Sequence, residues 1–99
     1  MSYFLKNISP GGCHPPHKVT HPEKLKELIE AFRTTGWDMR NGTLVGYRWE
    51  DGRVQLITGS HRHAAAKEVG LAIPVKIVSY EAVWEAWGDV PRWLRLLAA

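Results

Sequence analysis

Cysteine is nearly absent from this chain: Cys13 stands alone among 99 residues. An internal disulfide is therefore excluded, which fits a reducing compartment and a cytoplasmic protein. No apolar run approaches the roughly 20 residues a helix needs to cross a bilayer. The N-terminal residues also lack the basic, apolar and small-residue order of a secretory signal. Repeats, low-complexity stretches and linker-like segments are missing too. One domain over 1–99 is expected, with its core over about 8–88 and an aromatic, amphipathic tail over 89–99. Charge of one sign is scarce as well: 13 Lys and Arg against 10 Asp and Glu leave a net +3. That balance is compatible with a nucleotide or nucleic-acid partner, but no dense Lys/Arg cluster marks a polyanion footprint.

What the sequence does have is concentrated at Thr58-Gly59-Ser60-His61-Arg62-His63-Ala64-Ala65-Ala66. The alternating run Arg53 to Ile57 reads as a strand that delivers the backbone to a glycine. A small hydroxyl, a histidine and an arginine follow, and an alanine-rich helix begins. Strand, glycine turn and helix start make an anion site. The first N–H groups of a helix lack internal partners, the helix dipole is positive there, and glycine lets a ligand come close. The Arg62 guanidinium adds a planar fork of donors suited to phosphate oxygens. The same residues equally fit a helix capped by Ser60 with a salt-bridged arginine.

The surrounding pattern supplies the fold class. Tyr3 to Ile8 reads as a first strand. Ser9 to His17 reads as an irregular loop stiffened by Pro10, Gly11, Gly12, Pro15 and Pro16. A helix starts near Pro22, where Thr20 and Glu23 have capping-box spacing although the proline disfavours a helical His21 and can shift the cap by one residue, and Leu25, Leu28, Ile29 and Phe32 give it one apolar face up to Gly36. After an Asn41-Gly42 turn, Leu44 to Trp49 and Arg53 to Thr58 form a hairpin about Asp51-Gly52. The Ser60 helix runs to Val69 and closes at Gly70. A strand over Ile73 to Val78 and a helix over Tyr80 to Trp87 follow. Asp89-Val90-Pro91 then breaks the chain before a last helical turn over Trp93 to Leu97. The order β-α-β-β-α-β-α describes a compact α/β domain with a small mixed sheet and packed helices.

This order and its motifs resemble the ParB/sulfiredoxin superfamily over roughly Ile8 to Gly88. The carriers are Pro15-Pro16, the helix start Pro22-Glu23-Lys24-Leu25-Lys26-Glu27-Leu28-Ile29 and the hairpin Asp51-Gly52-Arg53-Val54-Gln55-Leu56-Ile57. The turn Gly59-Ser60-His61-Arg62-His63-Ala64-Ala65 and the strand Ile73-Pro74-Val75-Lys76-Ile77-Val78 complete the set. The resemblance implies a nucleotide, ATP or a relative, whose phosphates sit at the Gly-x-x-Arg turn. Gly59, Ser60, His61 and Arg62 would then hold phosphate, Lys24 of the first helix would reach it, and Mg2+ would bridge the phosphate groups.

Several positions depart from the superfamily pattern. Sulfiredoxin carries a nucleophilic cysteine where Ser60 stands, and a serine hydroxyl without a general base is a poor substitute for a thiolate. Sulfinic-acid reduction is therefore not expected. Gly11-Gly12-Cys13-His14 imitates the sulfiredoxin turn but lacks its preceding strand and its arginine. ParB proteins place a Glu-Asn-x-x-Arg motif after the strand matching Ile73 to Val78. Here Ser79-Tyr80-Glu81-Ala82-Val83-Trp84 offers neither the asparagine nor the arginine. His17 stands where many ParB sequences have an arginine, and no DNA-reading helix-turn-helix follows.

Other residues compete for roles. Cys13, His14, His17 and His21 are zinc-compatible types, yet no later ligand pair has finger spacing, so no metal site is assigned. These histidines more readily line the mouth of the phosphate site or face water. His63 reads as a packing or surface residue. Asp38 and Glu23 are the available carboxylates for a base or metal, without a motif to support either. Trp84, Trp87 and Trp93, with Arg92 and Arg95, suggest core packing or a protein-contact or homodimer surface rather than base stacking. The expected function is nucleotide binding, with phosphotransferase or NTPase activity where a carboxylate is suitably placed. A partner-binding or nucleic-acid-associated accessory protein, or a ParB-like nuclease, is the alternative.

Overall fold

The computed structural model describes residues 3–85 of the chain. Tryptophans 87 and 93, the break at Asp89-Val90-Pro91 and the last expected helical turn lie outside them. Five strands and three helices follow one another: β1 (Phe4–Ile8), β2 (Cys13–His14), α1 (Pro22–Thr35), β3 (Leu44–Arg48), β4 (Val54–Leu56), α2 (Ser60–Val69), β5 (Ile73–Val78) and α3 (Tyr80–Glu85). The sheet is mixed, in the order β1-β5-β3-β4-β2. Its β1/β5 and β3/β4 pairs are antiparallel, and its β3/β5 and β2/β4 pairs are parallel. This is the α/β class expected from the sequence.

Side-chain alternation decides which face each helix covers. Leu44 on β3 and Ile73, Val75 and Ile77 on β5 point to one face, where Leu25, Leu28 and Ile29 of α1 pack with Phe32, and Ala65 and Ala66 of α2 join them. The two alanines are fully buried, so α2 lies close against the strands with no long side chain between. On the other face Val45 and Val78 meet Ala82 and Val83 of α3 in a smaller cluster, flanked by Tyr47 and Ile57. Packing on α1 is what brings its first turn beside the first turn of α2.

Three local expectations are corrected. The loop Ser9 to His17 is not wholly irregular: Pro10–Gly12 makes one 3-10 turn, and Cys13–His14 adds a two-residue parallel strand to β4. The free edge of β4 supplies the hydrogen-bonding groups, and Pro15-Pro16 stops the ladder at once. The N-cap of α1 is His21 rather than Thr20, with no side-chain cap bond. Pro22 at the first helical position sets this start, because it biases the residue before it away from the helix. Finally, β3 stops at Arg48 and β4 covers only Val54–Leu56, since the hairpin closes through Trp49 N–H to the Arg53 carbonyl and Gly52 N–H to that of Trp49.

Candidate anion-binding site

From β4 the chain passes Ile57 and Thr58 to Gly59, the N-cap of α2, at φ +89° and ψ +35°. Two constraints meet at this residue. The left-handed conformation disfavours a side chain, and a Cβ there would fall inside the Leu44 side chain. Ser60 is the first residue of α2 and is 3 % exposed. It does not cap the helix, as one expectation had it: the cap is Gly59, with no side-chain bond. The Ser60 Oγ instead accepts the His17 backbone N–H at 3.2 Å, fastening the loop before α1 to the head of α2.

Among the described residues Arg62 has no salt-bridge partner either. Its Nη1 donates to the Asn41 carbonyl at 2.6 Å, a partner that orients the guanidinium without cancelling its charge. Burial lowers its pKa from the usual guanidinium value, but a guanidinium stays protonated under any folding condition. His61 accepts the His21 backbone N–H on Nε2 at 3.1 Å. That bond requires an unprotonated Nε2 and leaves the ring hydrogen on Nδ1. The ring stacks on His21, centroids 5.6 Å apart, and meets His17 edge-on at 6.4 Å. Its pKa is held below 6.5 first by desolvation, then by the charges of Lys24, His21 and His17.

A cavity of about 470 Å3 opens between the 17–21 loop, the first two turns of α1 and the Thr58–Arg62 turn. Lys24, Gly59, Ser60, His61 and Arg62, the five residues singled out in the sequence, all line it. His17, Thr20 and His21 join them, so two of the histidines lie at its mouth. Thr20 was hidden behind its cap-like spacing to Glu23. Among the described residues that line it there is no aspartate or glutamate. The lining therefore suits phosphate oxygens, which want N–H and O–H donors, and gives Mg2+ none of the carboxylates it prefers.

Asp38, His14, Cys13 and His63 are engaged elsewhere. Asp38 accepts from Arg40 at 2.8 Å, and that bond holds its carboxyl below the usual range. His14 pairs with Asp51 at 2.7 Å across the hairpin turn. Burial pushes the Cys13 thiol up, which makes it a packing residue rather than a nucleophile. His63 is buried and its Nε2 donates to the Pro10 carbonyl at 2.9 Å, a packing role as expected. Among the described residues no group of three or more His, Cys, Asp or Glu side chains is placed to hold a metal ion. No helix there is long and apolar enough to cross a membrane.

On the opposite face lies a larger hollow of about 1010 Å3, between β1, the end of β5 and α3. Tyr47 meets Trp49 and Tyr80 edge-on, and Tyr80 meets Trp84, which makes an aromatic ladder beside it.

No family sequence profile matches the chain, and no curated protein is detectably similar to it in sequence. Solved structures are similar in fold. Sulfiredoxin from Arabidopsis thaliana superposes with a TM-score of 0.63 at 18% identity, over 85% of this chain and 97% of that one. The C-terminally truncated chromosome-partitioning protein ParB from Caulobacter crescentus, complexed with CTP-γ-S, gives 0.65 at 19% identity over 89% of this chain and 53% of its own. C-terminally truncated SbnI from Staphylococcus aureus gives 0.61 at 19% identity, over 78% of this chain and 31% of its own. The chain thus has the ParB/sulfiredoxin fold, and it spans about half of the ParB chain and a third of the SbnI chain it matches.

Proposed function

We propose that the protein binds the phosphates of a nucleotide, ATP or a relative, at the head of α2. The carrying observation is convergence. Lys24, Arg62, three imidazoles and the α2 N-terminus share one cavity whose lining contains no carboxylate. Attraction to an anion is the property common to every polar member. The ParB neighbour, complexed with CTP-γ-S, supports a nucleotide as the ligand. A general base is what phosphoryl transfer or hydrolysis would add, and the lining supplies no carboxylate for it, so binding is favoured over catalysis. Ser60 in place of a thiol removes sulfinic-acid chemistry.

The test is a thermal-shift titration of the protein against ATP, ADP, CTP, GTP and inorganic phosphate, with and without Mg2+. A ligand at about 100 times its Kd adds roughly 2.7 kcal/mol, a plain rise in melting temperature for so small a fold. A nucleotide-dependent shift that Arg62→Ala abolishes is expected. An unchanged shift in that variant overturns the assignment of the site. A second reading, a partner-binding accessory protein, is favoured by exposure on the other face: Phe4 is 78% exposed, Leu5 61% and Trp84 57%. Absence of any shift with all five ligands would leave that reading in place.

A further inference from the structure

We infer that the cavity takes its polyphosphate, a nucleoside di- or triphosphate, as the metal-free anion, and that a proton taken up by His61 supplies charge a metal would otherwise bring. The inference rests on the nucleotide reading above and specifies the form of the ligand.

Charge accounting comes first. A terminal phosphate carries nearly two negative charges near neutrality, and each further phosphate adds about one. Lys24 and Arg62 are the fixed cations in the lining, and a helix N-terminus contributes about half a charge more. The sum falls short of a di- or triphosphate. Magnesium would ordinarily make up such a difference, held by one or two carboxylates as well as by the phosphates. No carboxylate is among the described residues that line the cavity. The loop brings His17, Thr20 and His21, α1 brings Lys24 and Leu28, and the turn into α2 brings Thr58, Ser60, His61 and Arg62. The ionisable groups still able to add positive charge are the imidazoles.

Their geometry makes the proton useful twice. The His61 Nε2 accepts the His21 backbone N–H at 3.1 Å. A proton arriving on Nε2 ends that bond. It gives the ring a second N–H and releases the His21 amide as a further donor at the cavity wall. The groups that face His61 are Lys24, His21 and His17, which oppose its protonation. A bound anion reverses the balance, since an opposite charge within a few ångströms favours the charged imidazole. Binding and proton uptake are therefore the same event.

The experiment is isothermal titration of the intact protein with ADP and with ATP, in EDTA and in excess Mg2+, at pH 6, 7 and 8. Two buffers of different ionisation enthalpy count the protons. Binding that persists in EDTA, with net proton uptake and an affinity rising about tenfold per unit fall in pH for each linked proton, is expected. The His61→Gln variant, which can still accept the His21 N–H, flattens that profile. The comparison also subtracts the nucleotide's own titration. Should the variant fail to fold, the His61 C2–H resonance of the wild-type protein is followed by NMR: its pKa rises when ADP is added. Binding that needs Mg2+, or that is flat between pH 6 and 8, overturns this inference and leaves the nucleotide site standing. No binding of ADP or ATP under any condition overturns this inference, and no binding of CTP or GTP either overturns both.

Discussion

His61 takes its hydrogen bond from a main-chain amide, and that bond fixes which form of the ring the fold prefers. Burial and the neighbouring charges hold its pKa below 6.5 in the folded chain, whereas the unfolded chain binds the proton more readily. The stabilising contribution is therefore present in full above pH 6.5 and is lost as the pH falls through the lower folded value. In the absence of nucleotide, the melting temperature should drop between pH 7 and pH 5, and by less in His61→Gln; equal drops in calorimetry would contradict the assignment. Lys24 allows a cleaner separation of binding from stability than Arg62, whose guanidinium also holds the Asn41 carbonyl. Lys24 is exposed, so Lys24→Ala should change unfolding free energy by no more than about 0.5 kcal/mol while reducing the nucleotide-induced shift. Residue types were readable here and partners were not. Serine, histidine and arginine after Gly59 mark the turn from the residues alone, whereas Lys24 enters only through the superfamily resemblance. That Ser60 would hold the His17 amide, and Arg62 a carbonyl rather than a carboxylate, depends on chain segments brought together only by tertiary packing.

Elements were legible in proportion to their length. The amphipathic face of α1 and the alternation in β5 announce themselves over several residues, whereas β2, with two residues between prolines, has no period to detect. The head of α2 shows how one residue joins element to element. Gly59 turns the strand into the helix at φ +89° with Leu44 directly against it. Gly59→Ala combines left-handed strain with overpacking and should cost about 2 to 4 kcal/mol in urea denaturation. A loss under 1 kcal/mol would mean that the turn can rebuild without its glycine. Because this backbone also carries the first free N–H groups of α2, nucleotide affinity should fall even at temperatures where the variant remains folded.

Across the whole molecule, the cavity depends on α1 being seated on the sheet. Phe32 is the anchor: it is 2% exposed and its ring lies 5.2 Å from that of Trp37. Phe32→Ala should cost about 3 to 5 kcal/mol, and the Trp37 emission should report the change; a loss below 1 kcal/mol would show that α1 is held by other contacts. Apart from β2, the succession of the described elements could be read from the sequence, but the order of strands in the sheet could not, because periodicity says which face a residue takes and nothing about its neighbour. That order has a consequence in time. β1 pairs with β5, Phe4 opposite Ile77, while β2, only a few residues after β1, pairs at the far side of the sheet with β4. During synthesis the first strand emerges with no mate and must wait until almost the whole described chain has been made. The hairpin of β3 and β4 can close locally long before. Assembly thus proceeds from the middle outward, and the N-terminal strand, with Phe4 and Leu5 exposed, is the piece a nascent chain must keep from sticking to its neighbours until β5 arrives.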